Sequence, residues 1–266
     1  MLSITNSVQG KPIRERLIMD PKQHWDKIYR TKRPTEVSWY LPHLEKSLEL
    51  IAEAAPRRDA SIIDVGAGQS TLVDDLLGLG YHNLYALDLS STALEVAKSR
   101  LGVQAKKVCW LCGDVRTFAF RPAQFDVWHD RAVFHFLTDA NDRLAYVEQV
   151  AHAVKLGGHV IIATFGPQGP TQCSGLDVVR YDSTELHEQF GSKFRLERHC
   201  TQLHKTPRGV TQQFTYCYCR LEDGSADQVR HDEASSLDEA HAHFRGSGTA
   251  NPKARRNVLA KADFPV

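Results

Sequence analysis

Asp64, Gly66, Gly68 and Asp88 have the residue types and spacing for a nucleoside-binding site. Asp64 sits near the end of the apolar run Ile62-Ile63-Asp64-Val65, and Gly66-Ala67-Gly68-Gln69-Ser70-Thr71-Leu72 follows. Twenty positions past Gly68, Asp88 closes a second apolar run, Leu84-Tyr85-Ala86-Leu87. Two glycines let the backbone turn tightly out of a strand and let a ligand come close. An acid at the end of the next strand can accept hydrogen bonds from both hydroxyls of a ribose. Ser70 or Thr71 can cap a helix carrying Leu72, Val73, Leu76 and Leu77.

These residues are useful only if strands and helices alternate around them. Cys112-Gly113-Asp114-Val115 closes a third apolar run, and Phe125-Asp126-Val127-Trp128-His129-Asp130 starts apolar and ends polar. Thr92-Ala93-Leu94-Glu95 has a capping-box pattern, with Ala93, Val96, Ala97 and Leu101 as the apolar stripe of a helix. Residues 142–154 read as a further helix and residues 159–165 as a buried strand. Residues 194–200 and 212–220 read as paired strands. This alternation implies an α/β fold with a mostly parallel sheet, helices on both faces and a C-terminal β-hairpin. Ligands should bind at the C-terminal strand ends, where the winding reverses. Residues 21–55 read as two helical pieces broken at Arg33-Pro34-Thr35. The expected organisation is a helical lead-in and lid over 1–57, a core over 58–221, and a polar tail over 222–266. The tail has too few apolar residues to pack and is expected to be mobile.

Taken in order, the motifs resemble those of the class I S-adenosylmethionine (SAM)-dependent methyltransferases over about residues 20–221. The resemblance implies a Rossmann-like fold with a seven-stranded sheet and SAM as cofactor. It places the cofactor cradle at Asp64, Gly66, Ala67, Gly68, Asp88, Leu89, Gly113, Asp114, Val115 and His129. Asp64 would organise the glycine loop and reach the amino-acid end of the cofactor. Asp88 would take the ribose, and Asp114 the adenine amino group, with Val115 donating its backbone N–H. The plainer alternative is that each acid caps the helix after its strand. An NAD-dependent oxidoreductase would use the same turn and acid. It would want a third glycine after Gly68, where Ser70-Thr71 stands, and it leaves Gly113-Asp114 without a role. A non-catalytic cofactor-binding protein is a further alternative.

The acceptor side is expected after the fourth strand, in His129-Asp130-Arg131-Ala132-Val133-Phe134-His135. His129 and Asp130 are the candidate catalytic residues, since an imidazole there can take a proton from the acceptor. The alternative is that Asp130 and Arg131 form an ion pair supporting the loop. Trp25-Asp26-Lys27-Ile28-Tyr29 and Trp39-Tyr40 resemble the lead-in of a methyltransferase subgroup that includes protein-lysine methyltransferases. That implies a lid in which Trp39 and Tyr40 exclude water and Tyr29 touches the methionine carboxylate. Asp130-Arg131-Ala132-Val133 followed by Asp142-Arg143-Leu144-Ala145-Tyr146 resembles a stretch of thiopurine and related thiol methyltransferases, with Ala132 in place of a glycine. The Lys-Gly pair common in the lysine subgroup is absent. Together these favour a small-molecule acceptor, a thiol or other soft nucleophile, with a protein lysine as the alternative.

Lys plus Arg number 33 and Asp plus Glu 32, giving a net charge of +1. That balance gives no strong pull toward nucleic acid or an anionic membrane. No run approaches the roughly 18–20 apolar residues of a membrane span, and the N-terminus lacks a secretory pattern, so cytoplasm is expected. The six cysteines are expected to be reduced thiols. Cys109 and Cys112 would point to opposite faces of a strand and Cys217 and Cys219 to the same face, so no metal site is expected.

Overall fold

A computed structural model describes residues 20–223. The expected core falls inside this range, as do residues 20–57 of the expected lead-in and lid, whereas its residues 1–19 and the tail beyond Asp223 lie outside the described residues.

The lead-in folds as α1 (Pro21–Thr31) and α2 (Glu45–Ala54), with a short 3-10 turn at Pro34–Glu36 between them. Asp20 starts α1 by accepting from the Lys22 amide at 3.0 Å, and Pro21 supplies a pre-set φ at the first helical position. The core then alternates: β1 (Ser61–Val65), α3 (Leu72–Gly78), β2 (Asn83–Asp88), α4 (Ser91–Leu101), β3 (Val108–Cys112), β4 (Phe125–Arg131), α5 (Ala140–Ala153) and β5 (Val154–Phe165). A small hairpin, β6 (Gln172–Cys173) and β7 (Leu176–Asp177), precedes α6 (Ser183–Glu188) and the long closing hairpin of β8 (Phe194–Lys205) and β9 (Thr211–Leu221).

The main sheet has seven strands in the order β3-β2-β1-β4-β5-β9-β8. Pairings from β3 through β5 are parallel, and β9 runs antiparallel to both β5 and β8. Both faces of the sheet are covered. On one side Ile63, Val65, Phe125, Trp128, Tyr146 and Val160 share a core. On the other Ile62, Leu72, Leu84, Val127, Ile161 and Tyr216 share a second. Strands buried on both faces need continuous apolar runs, which is why the sequence shows runs here rather than alternation.

Two local readings need correction. Ser90, and not a Thr92 box, caps α4, its hydroxyl accepting from the Ala93 amide at 3.2 Å. The helix after β4 ends at Ala153, and β5 begins directly at Val154, so Gly157 and Gly158 lie within the strand. Cys217 and Cys219 are buried on one face with their sulfurs 3.1 Å apart, and all six cysteines are free thiols. Among the described residues no helix is long and apolar enough to cross a membrane, and no group of three or more His, Cys, Asp or Glu is placed to hold a metal ion.

Candidate active site

β1 and its neighbour β4 lead to opposite halves of the sheet, so the loops leaving their C-terminal ends diverge and open a crevice. A cavity of about 630 Å³ fills it. Its floor is Val65 and Gly66 at the end of β1, Asp88 and Leu89 at the end of β2, Gly113 to Arg116 after β3, and Arg131 to Val133 at the end of β4. Trp25, Tyr29 and Trp39 cover it from the lead-in, and Cys173 and Gly175 to Asp177 close it from the β6–β7 hairpin.

Asp88 ties the glycine loop to the start of α4. Its Oδ2 accepts from the Gly68 amide at 2.8 Å and its Oδ1 from the Ser90 amide at 2.7 Å. Burial, aided by the Asp64 and Asp26 charges, pushes this carboxyl up to about 6 against the pull of the two amides. Each carboxylate oxygen still has a lone pair for a donor from the cavity. Gly66 has φ +67° and Gly68 φ +53°, the left-handed region that favours glycine. A Cβ on Gly66 would come within 2.0 Å of the Val133 side chain, and one on Gly68 within 2.6 Å of the Tyr29 hydroxyl. The loop is therefore pressed by Tyr29 of α1 and by Val133 as well as turned by its own backbone. α1 is anchored close by, where the Ser90 hydroxyl donates to Asp26 at 2.6 Å.

Asp114 lines the cavity with its carboxylate held by Arg116, which also reaches Asp142. Burial alone would raise Asp114, but the Arg116 hydrogen bonds override it and hold the carboxyl below its usual range. This end of the cavity thus presents a fixed acid–arginine–acid cluster flanked by Val115.

The cavity brings together Tyr29, Trp39, Gly66, Asp88, Leu89, Gly113, Asp114 and Val115 from the expected cradle. Ala67 and Gly68 run behind its wall, and Tyr40 is half-buried away from it. Asp64 and His129 are not brought to it. They face each other across β1 and β4 in register, His129 Nδ1 lying 2.7 Å from Asp64 Oδ1. The other ring nitrogen, Nε2, lies 2.8 Å from the hydroxyl of Ser47 on α2. Ser47 and His129 are fully buried and Asp64 nearly so. The connectivity is that of a serine–histidine–aspartate triad, but the hydroxyl is fully buried and does not line the cavity. Its effect is to fasten α2 to the two central strands. Both imidazole nitrogens are occupied in any tautomer, which takes His129 out of reach of an acceptor in this conformation.

Asp130 is also sealed. It accepts from the Val133 amide at 2.8 Å, the Phe134 amide at 3.0 Å and the Tyr146 hydroxyl at 2.6 Å. Burial raises its carboxyl to about 6 against these donors. It does not pair with Arg131: consecutive strand residues point to opposite faces, and Arg131 turns toward the cavity instead. Ala132 follows with φ +76°, a left-handed position that costs a residue bearing a Cβ roughly 1–2 kcal/mol. That conformation accounts for a glycine at the matching place in the thiol-methyltransferase stretch.

Sequence reading missed two features of the wall. Arg131 is 9% exposed and lines the cavity. Cys173, with the rest of the β6–β7 hairpin, sits in a segment with no periodic signal, though Ser174-Gly175 between Cys173 and Leu176 is a turn signature that could have been read.

Residues 63–162 match a family model described as "Methyltransferase domain". The eEF1A lysine and N-terminal methyltransferases of Mus musculus and Homo sapiens are 25% and 24% identical to the chain over 144 residues. Each match covers 52% of this chain but only 20% of the relative, so the matched stretch spans about a fifth of those proteins' length. Among solved structures, one described as the conversion of a disulfide bond into a thioacetal group during echinomycin biosynthesis superposes with a TM-score of 0.63 at 17% identity, covering 82% of this chain and 97% of that one. The Burkholderia thailandensis 1,6-didemethyltoxoflavin-N1-methyltransferase, bound to 1,6-didemethyltoxoflavin and S-adenosylhomocysteine, gives a TM-score of 0.54 at 18% identity, covering 76% and 84%.

Proposed function

We propose that this chain, whose core is a class I SAM-dependent methyltransferase, moves the methyl group to a small-molecule acceptor through a soft nucleophile, with a thiol as the leading case. SAM is the cofactor of the domain, and it supplies a methyl group already activated by its sulfonium. The residues at the cavity fit it. In this reading Asp88 takes the ribose hydroxyls, Leu89 and Val115 flank the adenine, and the Asp114–Arg116–Asp142 cluster meets its polar edge. Tyr29 stands over the glycine loop. What remains for the protein is to hold donor and acceptor in line and exclude water. The aromatic lid serves the second task, with Trp25 packed edge-on against Trp39 and Phe136 at 5.9 and 5.1 Å between ring centroids.

The observation that carries the soft-acceptor assignment is the absence of a histidine among the described residues lining the cavity. An amine with a pKa near 10 must lose a proton before it can attack, whereas a thiol ionises near 8.5 and an acidic one lower still. A site that binds and orients without an imidazole base suits the second kind. The echinomycin-pathway neighbour is described by a reaction at sulfur, but at its level of identity it supports the fold alone, and the assignment stands on the cavity. A protein lysine or N-terminal amine is the second reading, favoured by the curated relatives.

Incubation with labelled SAM and separate pools of cell metabolites and proteins decides between them. Label in the small-molecule fraction is expected. Label confined to a protein band would favour the amine reading, and no transfer to either would leave a cofactor-binding protein.

A further inference from the structure

The guanidinium of Arg131 is buried, lines the cavity and has no anionic partner among the described residues. Nη1 donates to the Trp39 carbonyl at 3.1 Å, and the group lies 4.2 Å over the ring of Phe214. Nε and Nη2 are both buried without a hydrogen-bond partner. These two nitrogens form one edge of the guanidinium, the edge that offers two parallel N–H donors to a carboxylate. Elsewhere in the same protein that edge is filled: Arg57 places Nε and Nη2 on the two oxygens of Asp59, and Arg100 does the same with Asp74. At Arg131 the same edge meets no protein acceptor among the described residues. A buried charge without a counter-charge is expensive, and a fork held flat by a carbonyl on one side and a ring beneath is already arranged for its partner.

Resting on the small-acceptor reading, we propose that Arg131 is the specificity residue of the acceptor site and takes a carboxylate of the acceptor in a bidentate pair, so that the substrate class is an apolar or aromatic acid. The strand order places it for the acceptor and not the nucleoside. β4 lies on the side of β1 away from β2 and β3. At roughly 4.8 Å per strand, Arg131 stands about 10 Å across the sheet from Asp88 and about 14 Å from the end of β3. The surroundings are aromatic and apolar, with Trp39 above, Phe214 beneath, and Phe136 and Leu176 along the wall. They suit the body of such an acid. Because both donors are closed off from solvent, an anion admitted there meets them without competing water, and the side chains packed around the fork must shift to admit it.

The test uses the full chain loaded with S-adenosylhomocysteine, titrated calorimetrically with benzoate and with benzamide, its uncharged isostere. Wild type should bind benzoate at least tenfold more tightly. Arg131→Met should erase that preference while keeping S-adenosylhomocysteine affinity within about twofold. Arg131→Lys, which keeps the charge and loses the fork, should recover only part of it and guards against a variant that fails to fold. A wild-type protein that binds the cofactor product but treats benzoate and benzamide alike overturns the assignment and leaves the methyltransferase reading intact. Loss of S-adenosylhomocysteine affinity in both variants, with no such loss for 5′-methylthioadenosine, overturns it differently, because the carboxylate would then be the cofactor's own. Failure of wild type to bind S-adenosylhomocysteine removes both readings together.

Discussion

Replacing His129 with alanine separates a sealed structural histidine from a catalytic one. The imidazole bridges Asp64 and Ser47 at 2.7 and 2.8 Å, and all three residues are buried. Removing it strips Asp64 Oδ1 of its partner while Oδ2 already has none, so a buried carboxylate is left wholly unpaired. Breaking a buried pair from one side costs about 3–5 kcal/mol. That is a large part of a typical stability of about 5–15 kcal/mol. At about 2–4 °C per kcal/mol for a domain of this size, the thermal midpoint should fall by about 6–20 °C. Ser47→Ala keeps the His129–Asp64 pair and should cost only about 1–3 kcal/mol. Thermal and denaturant unfolding of both variants, with SAM affinity and turnover measured below the lowered midpoint, makes the comparison. The structural role predicts a large stability loss with turnover per folded molecule largely kept. A His129→Ala protein as stable as wild type, but slower by about 10²–10⁴-fold, would mean that the imidazole works as a general base, and the sealed network would be the wrong account of it.

Asp88→Ala should weaken SAM binding by about ten- to a hundredfold, the value of charge-assisted acceptors for two hydroxyls; calorimetry at unchanged fold would show it, and wild-type affinity would remove Asp88 from the site. In the wild type, the ionised carboxylate is the better acceptor and its pKa is raised to about 6. SAM affinity should therefore be flat above that pH and fall as pH drops below it, and a profile without an inflection there would contradict the assignment. Gly66→Ala sets a Cβ 2.0 Å from Val133 at φ +67°. It should destabilise the fold by more than the roughly 1–2 kcal/mol of the left-handed strain alone and weaken SAM binding, and a neutral result in unfolding and titration would show that the loop can relax. Tyr146→Phe removes a 2.6 Å donor from Asp130. Because Asp130 is ionised above about 6 and hydrogen bonds to charged groups are worth about 1.5–3 kcal/mol, the loss should be larger at pH 8 than at pH 5; equal losses would mean that Asp130 stays protonated throughout.

The legible part of the fold is local. An acid and two glycines at the end of one run, and an acid twenty residues on, are constraints a ligand imposes on a few consecutive residues, and Asp88, Gly66 and Asp114 fall at one cavity accordingly. His129 and Asp130 were misplaced because their surroundings come from distant segments. Ser47 lies 82 positions from His129, and Tyr146 is on a helix that packs beneath the strand. The sequence shows a polar strand end, but not that α2 and α5 will cover it. Arg131 was missed for the converse reason: adjacency suggested an ion pair with Asp130, and the alternation of the strand forbids it. The β6–β7 hairpin carries two residues per strand, too few for any period to appear.

The Ser47 hydroxyl has one more consequence, for exchanging parts between relatives. A lead-in segment grafted from another protein would bring its own lid aromatics. It would also have to supply a hydroxyl at the one turn of α2 that meets the central strands, or else arrive with a recipient lacking both His129 and Asp64. The polar interior therefore joins α2 to β1 and β4. The lead-in and the strands can diverge freely in the residues facing the cavity, while a change at His129 or Asp64 alone leaves its buried partner unpaired, and one at Ser47 costs less.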